Sequence, residues 1–474
     1  LTLRVLTLAV ATALLASCGA AATPTATPAP TTAPAAAEAT ATTATSASPT
    51  DTVAASAEVT ATAETTSTQE TVTLKWGLWG DTEELKGHQA VADAFTAKYP
   101  NIKIEIQAAP WDDYNTKLKT LIASGDPNLY DVFFYGYNVE NLVKQGVIED
   151  LTPWAKKTGY DFGDYWPGIL DRATVNGEVY GLVRDADASL LYYNKDIFDE
   201  AKVAYPTDKW TLDDLKAAAE KLTKVESNGR VSRYGLGFEA GKVDAFLVGN
   251  GGGYLDNGTN PSKSILDKPE SLAILSYFTD LIAKNYAVKP SALAQAGGDA
   301  AAFQQGKVAM IIQNASRIPA FNAANLNYDI SALPLPPSGK RANNAAGAAW
   351  HISAKSQHKE AAWTFLSWLQ SADGGLGIYA QQGGLFPALK SVATSKAFTD
   401  PSQKPANRAA FVTEGAGLTL LQPITLPEWD DLDGTLISPS LEKIWTLEST
   451  PDKVVPDLVT KINDYLKQKG YPKQ

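Results

Sequence analysis

The sequence predicts an α/β protein with a largely parallel sheet, on three observations. From residue 72 to residue 135, strand-like and helix-like runs alternate as strand, helix, strand, helix, strand. The chain has 474 residues, 44% of them hydrophobic, which suits two or three globular units with sizeable cores. Before residue 72 the composition is different in kind and cannot build a core.

Arg4 precedes an apolar run from Val5 to Leu15 that is too short to span a bilayer comfortably and ends in Leu15-Ala16-Ser17-Cys18. Residues 1–17 read as a secretory signal peptide. From Gly19 to about Thr71 the chain is almost wholly Ala, Thr, Ser and Pro. It lacks hydrophobic periodicity, so 18–71 reads as a disordered tether behind Cys18.

Val72 to Trp79 alternates and reads as the first strand. Asp81 or Thr82 caps a helix running to about Tyr99, which Pro100-Asn101 stops. Ile102 to Ile106 alternates strictly, Asp112 to Ser124 is helical, and Asp131 to Tyr135 is a buried strand. In open α/β sheets ligands sit beyond the carboxyl ends of strands. Two ends are equipped for this: Trp79-Gly80-Asp81 and Tyr135-Gly136-Tyr137-Asn138. Each joins an aromatic face that can stack on an apolar ligand surface, a glycine that allows close approach, and a short polar side chain that can hydrogen-bond a polar ligand. Trp79 reads as a stacking face or as core, and Asp81 as a ligand contact or a plain helix cap.

Asn176-Gly177 is a tight-turn signal. Glu178 to Val183 reads as one short strand and Ser189 to Tyr193 as another. Arg184, Asp185 and Asp187 lie between them, as an inter-lobe connection or an ordinary loop. Thr211-Leu-Asp-Asp214 has capping-box spacing. Val231 to Phe238 is strand-like, and Glu239 follows as a cleft carboxylate or a solvated one. Val308 to Ile312 delivers Gln313-Asn-Ala-Ser-Arg317, where Arg317 reads as a ligand contact or a structural ion pair. Gly347 to Ala354 is a strand. Lys359 to Ser371 is an amphipathic helix with Ala362, Phe365, Leu366 and Leu369 inward. Helices follow around Leu432 to Leu447 and Pro451 to Lys469.

Gly177-Glu-Val-Tyr-Gly-Leu followed by Leu191-Tyr-Tyr-Asn-Lys-Asp-Ile-Phe198 resembles the first cross-over of family 1 extracellular solute-binding proteins. These are the sugar-capturing subunits of ABC importers, the family that includes maltose-binding protein. Ala300-Ala-Ala-Phe-Gln-Gln-Gly-Lys-Val-Ala-Met310 resembles the family's Phe-x-x-Gly-Lys-x-Ala-Met run, and the resemblance covers roughly residues 72 to 470. It implies a two-lobe, periplasmic-binding-protein-like fold of type II. Each lobe would be a mixed sheet flanked by helices, with hinge strands crossing near 184–189 and 345–350. Lobe one would be 72–186 plus 349–398, and lobe two 187–348 plus 399–474.

The same resemblance implies a ligand cleft with Trp79, Tyr135, Tyr137 and Trp429 as aromatic contacts and Trp350 on its floor. Asp81, Asn138, Asp187, Glu239, Asn314, Ser316 and Arg317 would supply hydrogen bonds. Relatives often carry an aromatic near Ser316, whereas here none occurs until Phe321. Arg317 therefore leaves a polyol or glycerophosphoryl ligand open beside an oligosaccharide. Leu15 to Cys18 resembles a bacterial lipobox, which implies cleavage before Cys18 and a lipid anchor on the extracytoplasmic face of the cell membrane. A chance cysteine after a plain signal is the other reading. The implied partners are a small carbohydrate and the permease subunits of an importer, with the chain itself a monomer.

The net charge of −11 argues against nucleic acid as a partner. Cys18 is the one cysteine, so no intrachain disulfide forms. His88, His351 and His358 lack ligand spacing, so no metal is expected, and no cofactor motif is present. No Gly-x-Ser-x-Gly elbow precedes a helix. The expectation is a binding protein. The enzyme alternative is a surface glycoside hydrolase using two of Asp81, Asp187 and Glu239 as paired carboxylates.

Overall fold

The computed structural model describes residues 71–473 apart from 81, 127–128 and 137–138, and the side chains of residues 82 and 83. The expectations for the leader, Cys18, the tether, Asp81, Tyr137 and Asn138 fall outside the described residues.

Ten strands form two five-stranded sheets. They are β1 (Val72–Trp79), β2 (Ile102–Ala109), β3 (Val132–Tyr135), β4 (Leu182–Val183), β5 (Leu190–Asn194), β6 (Lys224–Val225), β7 (Val231–Gly237), β8 (Val308–Gln313), β9 (Tyr328–Ser331) and β10 (Ala349–Ile352). The first sheet has the order β2-β1-β3-β10-β4 and the second β9-β5-β8-β7-β6. In the first, β1 pairs parallel with β2 (Trp79 beside Ala109) and with β3, while β10 runs antiparallel to β3 and β4. In the second, β7 and β8 are parallel, and β5 is antiparallel to both β8 and β9. Both sheets are thus mixed and helix-flanked, the two-lobe α/β architecture expected.

Burial follows the alternation. Leu74, Trp76 and Leu78 of β1 are sealed against Phe95 and Phe365 from the helices Thr82–Lys98 and Lys359–Leu369. Burying each such side chain contributes roughly 1.5–3 kcal/mol. All six residues of β8 are buried, because its sheet is covered on both faces. One face carries Ile311 and Tyr192, and the other Met310, Phe238, Phe278 and Trp445. The helix Leu212–Leu222 starts on the expected capping box: Thr211 Oγ1 accepts from the Asp214 amide at 3.3 Å, and Asp214 Oδ2 accepts from the Thr211 amide at 2.8 Å.

The chain passes from β4 to β5 through 184–189 and returns from β9 to β10 through 332–348. The expected single strand from Glu178 to Val183 is two. Glu178–Val179 forms a hairpin with Thr174–Val175 around Asn176 (φ 54°) and Gly177 (φ 86°). Leu182–Val183 then joins the first sheet. Gly181 marks the break, since a Cβ there would lie 2.4 Å from the His351 ring.

Candidate binding cleft

The carboxyl ends of β1 and β3 carry an aromatic wall. Trp79, half-buried, stacks on Phe134 with ring centroids 4.1 Å apart, and Phe134 stacks on Trp350 at 4.0 Å. Trp111, which opens the helix Trp111–Ser124, stands edge-on to Trp79 at 4.4 Å and is 43% exposed. Gly136 lies beneath this pair, where an added Cβ would be 3.3 Å from Trp111 and 3.5 Å from Trp79. A side chain there would lie in contact with both indoles. The sequence reading missed Trp111. An indole directly after Pro110 at a helix start, two residues beyond a strand end, was the available signal.

The two passages between sheets are fastened to each other beside this wall. The Ser189 amide donates to Asn343 Oδ1 at 2.8 Å, and Asn343 Nδ2 donates back to the Ser189 carbonyl at 2.7 Å. Arg172 donates from Nη1 to the Gly347 carbonyl at 2.8 Å and from Nη2 to the Gly136 carbonyl, bridging the second passage to the end of β3. Sequence reasoning gave Arg172 no role, because nothing local distinguishes it from a surface arginine. Asp187 receives the Nδ2 of Asn314 on Oδ1 and the Nδ2 of Asn344 on Oδ2. Asp187 and Asn314, both expected in the cleft, are therefore together.

A cavity of about 250 Å³ opens beside Asp187, Ser189 and Asn344 and is walled by Glu239, Asp244 and Gln422. Glu239 is exposed at its rim. Asp244 is buried. Its Oδ1 accepts from the Tyr254 hydroxyl at 2.6 Å and its Oδ2 from Gln422 Nε2 at 2.7 Å. Burial pushes this carboxyl up to about 6, against the pull of those two hydrogen bonds. Each carboxylate oxygen keeps a free lone pair, so the wall presents acceptors with amides beside them, suited to hydroxyl groups.

The remaining expected residues divide. Tyr135 ends β3 half-buried, 6.2 Å from the His351 ring. Asn314 spends its Oδ1 on the Ser316 amide (3.1 Å) and hydroxyl (2.6 Å), capping the turn Ala315–Arg317. Ser316 is exposed, and Arg317 is half-buried with an Nε that meets no acceptor among the described residues. Two expectations are corrected. Trp350 has no accessible surface, because β10 turns its indole into the first core against Trp76 and Phe134. Trp429 is 3% exposed and packs edge-on to Tyr254 at 5.4 Å in the second core, because it begins a helix whose apolar face docks there. Neither lines the cleft. Among the described residues no group of three His, Cys, Asp or Glu is placed to hold a metal ion.

Two mixed α/β sheets, two passages fastened together, an aromatic cluster at the ends of β1 and β3 and a polar cavity beside the passages are the features of a two-lobe binding protein. The chain belongs to the bacterial extracellular solute-binding protein family, whose match covers residues 79–376. It is 26% identical to the maltodextrin-binding protein MdxE of Bacillus subtilis, over 67% of this chain and 70% of that one. It is 22% identical to the galactooligosaccharide-binding protein of the same organism, over 80% and 86%. Among solved structures it superposes on the ABC substrate-binding protein Lmo0181 of Listeria monocytogenes, solved with cycloalternan (TM-score 0.71, 24% identity, 84% of this chain and 100% of that one). It also superposes on the sugar-binding protein MalE of Xanthomonas citri (TM-score 0.69, 21% identity, 84% and 98%). These likenesses establish the fold.

Proposed function

We propose that this chain is the lipid-anchored receptor of an ABC importer, and that it captures an oligosaccharide between its lobes for delivery to the permease. The observation that carries the reading is that one chain holds both a pair of indoles open to solvent, half-buried Trp79 with exposed Trp111, and a cavity rich in acceptors and amides at Asp187, Glu239, Asn344 and Gln422. A pyranose ring offers an apolar face and a rim of hydroxyls, which are the two things such a site satisfies. Trp79, Asp81, Tyr135, Tyr137, Asn138, Asp187, Glu239 and Arg317 are the proposed contacts, with Asn314 and Ser316 positioning the last turn. The names of the maltodextrin- and galactooligosaccharide-binding relatives support the ligand class. Hinge motion about the two passages would close the lobes on the ligand.

Titration of the full chain with linear oligosaccharides, read by tryptophan fluorescence and calorimetry, tests this. Saturable binding with a change in emission is expected. No response to any member of the panel ends the reading. A glycerophosphoryl or polyol ligand is the second reading, favoured by the Nε of Arg317. It predicts competition by glycerol 3-phosphate and loss of binding at high salt. For the anchor, Cys18→Ala is expected to move the protein from the membrane to the soluble fraction, and retention at the membrane would refute lipidation.

A further inference from the structure

We propose that Asn257 is a self-modifying site, where the folded loop speeds conversion of the side-chain amide to aspartate and isoaspartate. The chain holds four Asn-Gly pairs, beginning at residues 176, 228, 250 and 257. In such a pair the glycine nitrogen can attack the asparagine side chain, because no Cβ hinders its approach. The fold treats the four differently. Asn250 is buried, and the Gly251 amide is spent on the Val248 carbonyl at 2.9 Å. Asn228 is exposed, but the Gly229 amide donates to the Glu226 carbonyl at 2.8 Å, which holds the nucleophile in place. Asn176 and Gly177 turn a hairpin at φ 54° and 86°, and no described residue donates to the Asn176 side chain.

Asn257 combines what the others lack. It is exposed, and the Gly258 amide meets no acceptor among the described residues. Its Oδ1 accepts from the Thr259 amide at 2.9 Å, the Thr259 hydroxyl at 3.1 Å and the Asn260 amide at 2.8 Å. Donors so placed draw electron density from Cγ, and they bind more strongly once the oxygen carries charge. In the step, solvent hydroxide takes the Gly258 amide proton and the nitrogen attacks Asn257 Cγ. The charge that develops falls on Oδ1, against those donors. The Cγ–Nδ2 bond then breaks, ammonia leaves with a proton from water, and a cyclic imide closes. Water opens the imide at Cγ to give aspartate, or at the backbone carbonyl to give isoaspartate, with the chain rerouted through Cβ. The product reaches its neighbours. The Gly258 carbonyl accepts from Thr425 Oγ1 at 3.3 Å, and Asn260 exchanges hydrogen bonds with the Lys473 backbone at 2.7 and 3.0 Å. A lengthened backbone at 257 displaces both contacts.

The test incubates the full chain in mildly alkaline buffer, native and in urea. Peptide mass spectrometry follows all four Asn-Gly pairs, and enzymatic carboxyl methylation counts isoaspartate. In the native chain Asn257 should convert about tenfold faster than any of the others. In urea that lead should disappear, because it comes from the folded loop. Thr259→Val keeps the branched shape, removes the hydroxyl donor, and should slow Asn257 about fivefold while the other three pairs keep their rates. A native Asn257 no faster than Asn176 or Asn228, or a lead that survives in urea, overturns the proposal. So does a Thr259→Val chain that converts as fast as wild type. Aspartate formed without any isoaspartate would mean direct hydrolysis of the amide and would overturn the ring closure.

Discussion

Asn344 donates its Nδ2 to Asp187 Oδ2 at 3.3 Å, joining residues 157 apart in sequence at the edge of the cavity. Asn314 takes the other oxygen. One carboxylate thus collects both passages and the turn after β8, and a ligand hydroxyl would be its next partner. Asp187→Ala is expected to weaken saccharide binding by about 2 kcal/mol, the worth of a hydrogen bond to a charged group, roughly thirtyfold in Kd. Calorimetry checks this. An unchanged Kd beside a lowered melting temperature would make Asp187 purely a fastening.

The tryptophans at 79 and 429 should behave oppositely. Trp79→Ala removes the half-buried end of the stack on Phe134 and is expected to abolish the ligand-induced change in fluorescence. Trp429→Ala empties a core site beside Tyr254 and should cost about 3–5 kcal/mol of stability. Trp429→Phe should bind saccharide as wild type does. Urea unfolding and calorimetry on the three variants separate the roles.

The fold was legible because the alternation of Val72 to Trp79 and Ile102 to Ile106, and the helical spacing of Ala362, Phe365, Leu366 and Leu369, report burial directly. The capping box at Thr211 was legible for the same local reason. The cleft was legible only in part. Asp187 and Asn314 meet through tertiary contact, and no pattern nearby marks either. Trp350 and Trp429 misled because an indole serves core and ligand equally well, and only the neighbours decide. Arg172 and Asp244 went unnoticed because their importance lies in partners far along the chain: Gly347 for one and Gln422 for the other.

Buried titratable groups give stability opposing dependences on pH. Burial, with Arg184 nearby, lowers His88 to about 3, and burial lowers His351 to about 4 against its hydrogen bond to the Tyr180 carbonyl. Their contribution is full above pH 6.5 and is lost as pH falls toward those values. Asp244 runs the other way. Its folded value of about 6 lies above the ordinary 3.8, so its contribution is full below pH 3.8 and is lost as pH rises through 6. Asp244→Asn should raise stability at pH 7 by on the order of 3 kcal/mol at most and steepen the rise from pH 4 to 7. His351→Gln should flatten that rise. Denaturant midpoints at pH 4, 5, 6 and 7 check both slopes.

Gly347 passes so close to the first passage that a Cβ would lie 1.6 Å from the Asp185 carbonyl oxygen. Gly347→Ala must push the two backbones apart and is expected to cost about 3 kcal/mol or more. Gly241→Ala, with open space around it, should stay within about 0.5 kcal/mol. Thermal melts of the pair give the comparison.

That unobstructed glycine has a practical consequence. The chain's one cysteine is Cys18, so Gly241→Cys would give residues 71–473 a single thiol, in the lining of the cavity walled by Glu239 and Asp244. A solvatochromic dye attached there would turn the molecule into an optical reporter, its colour set by whatever guest displaces water at that point.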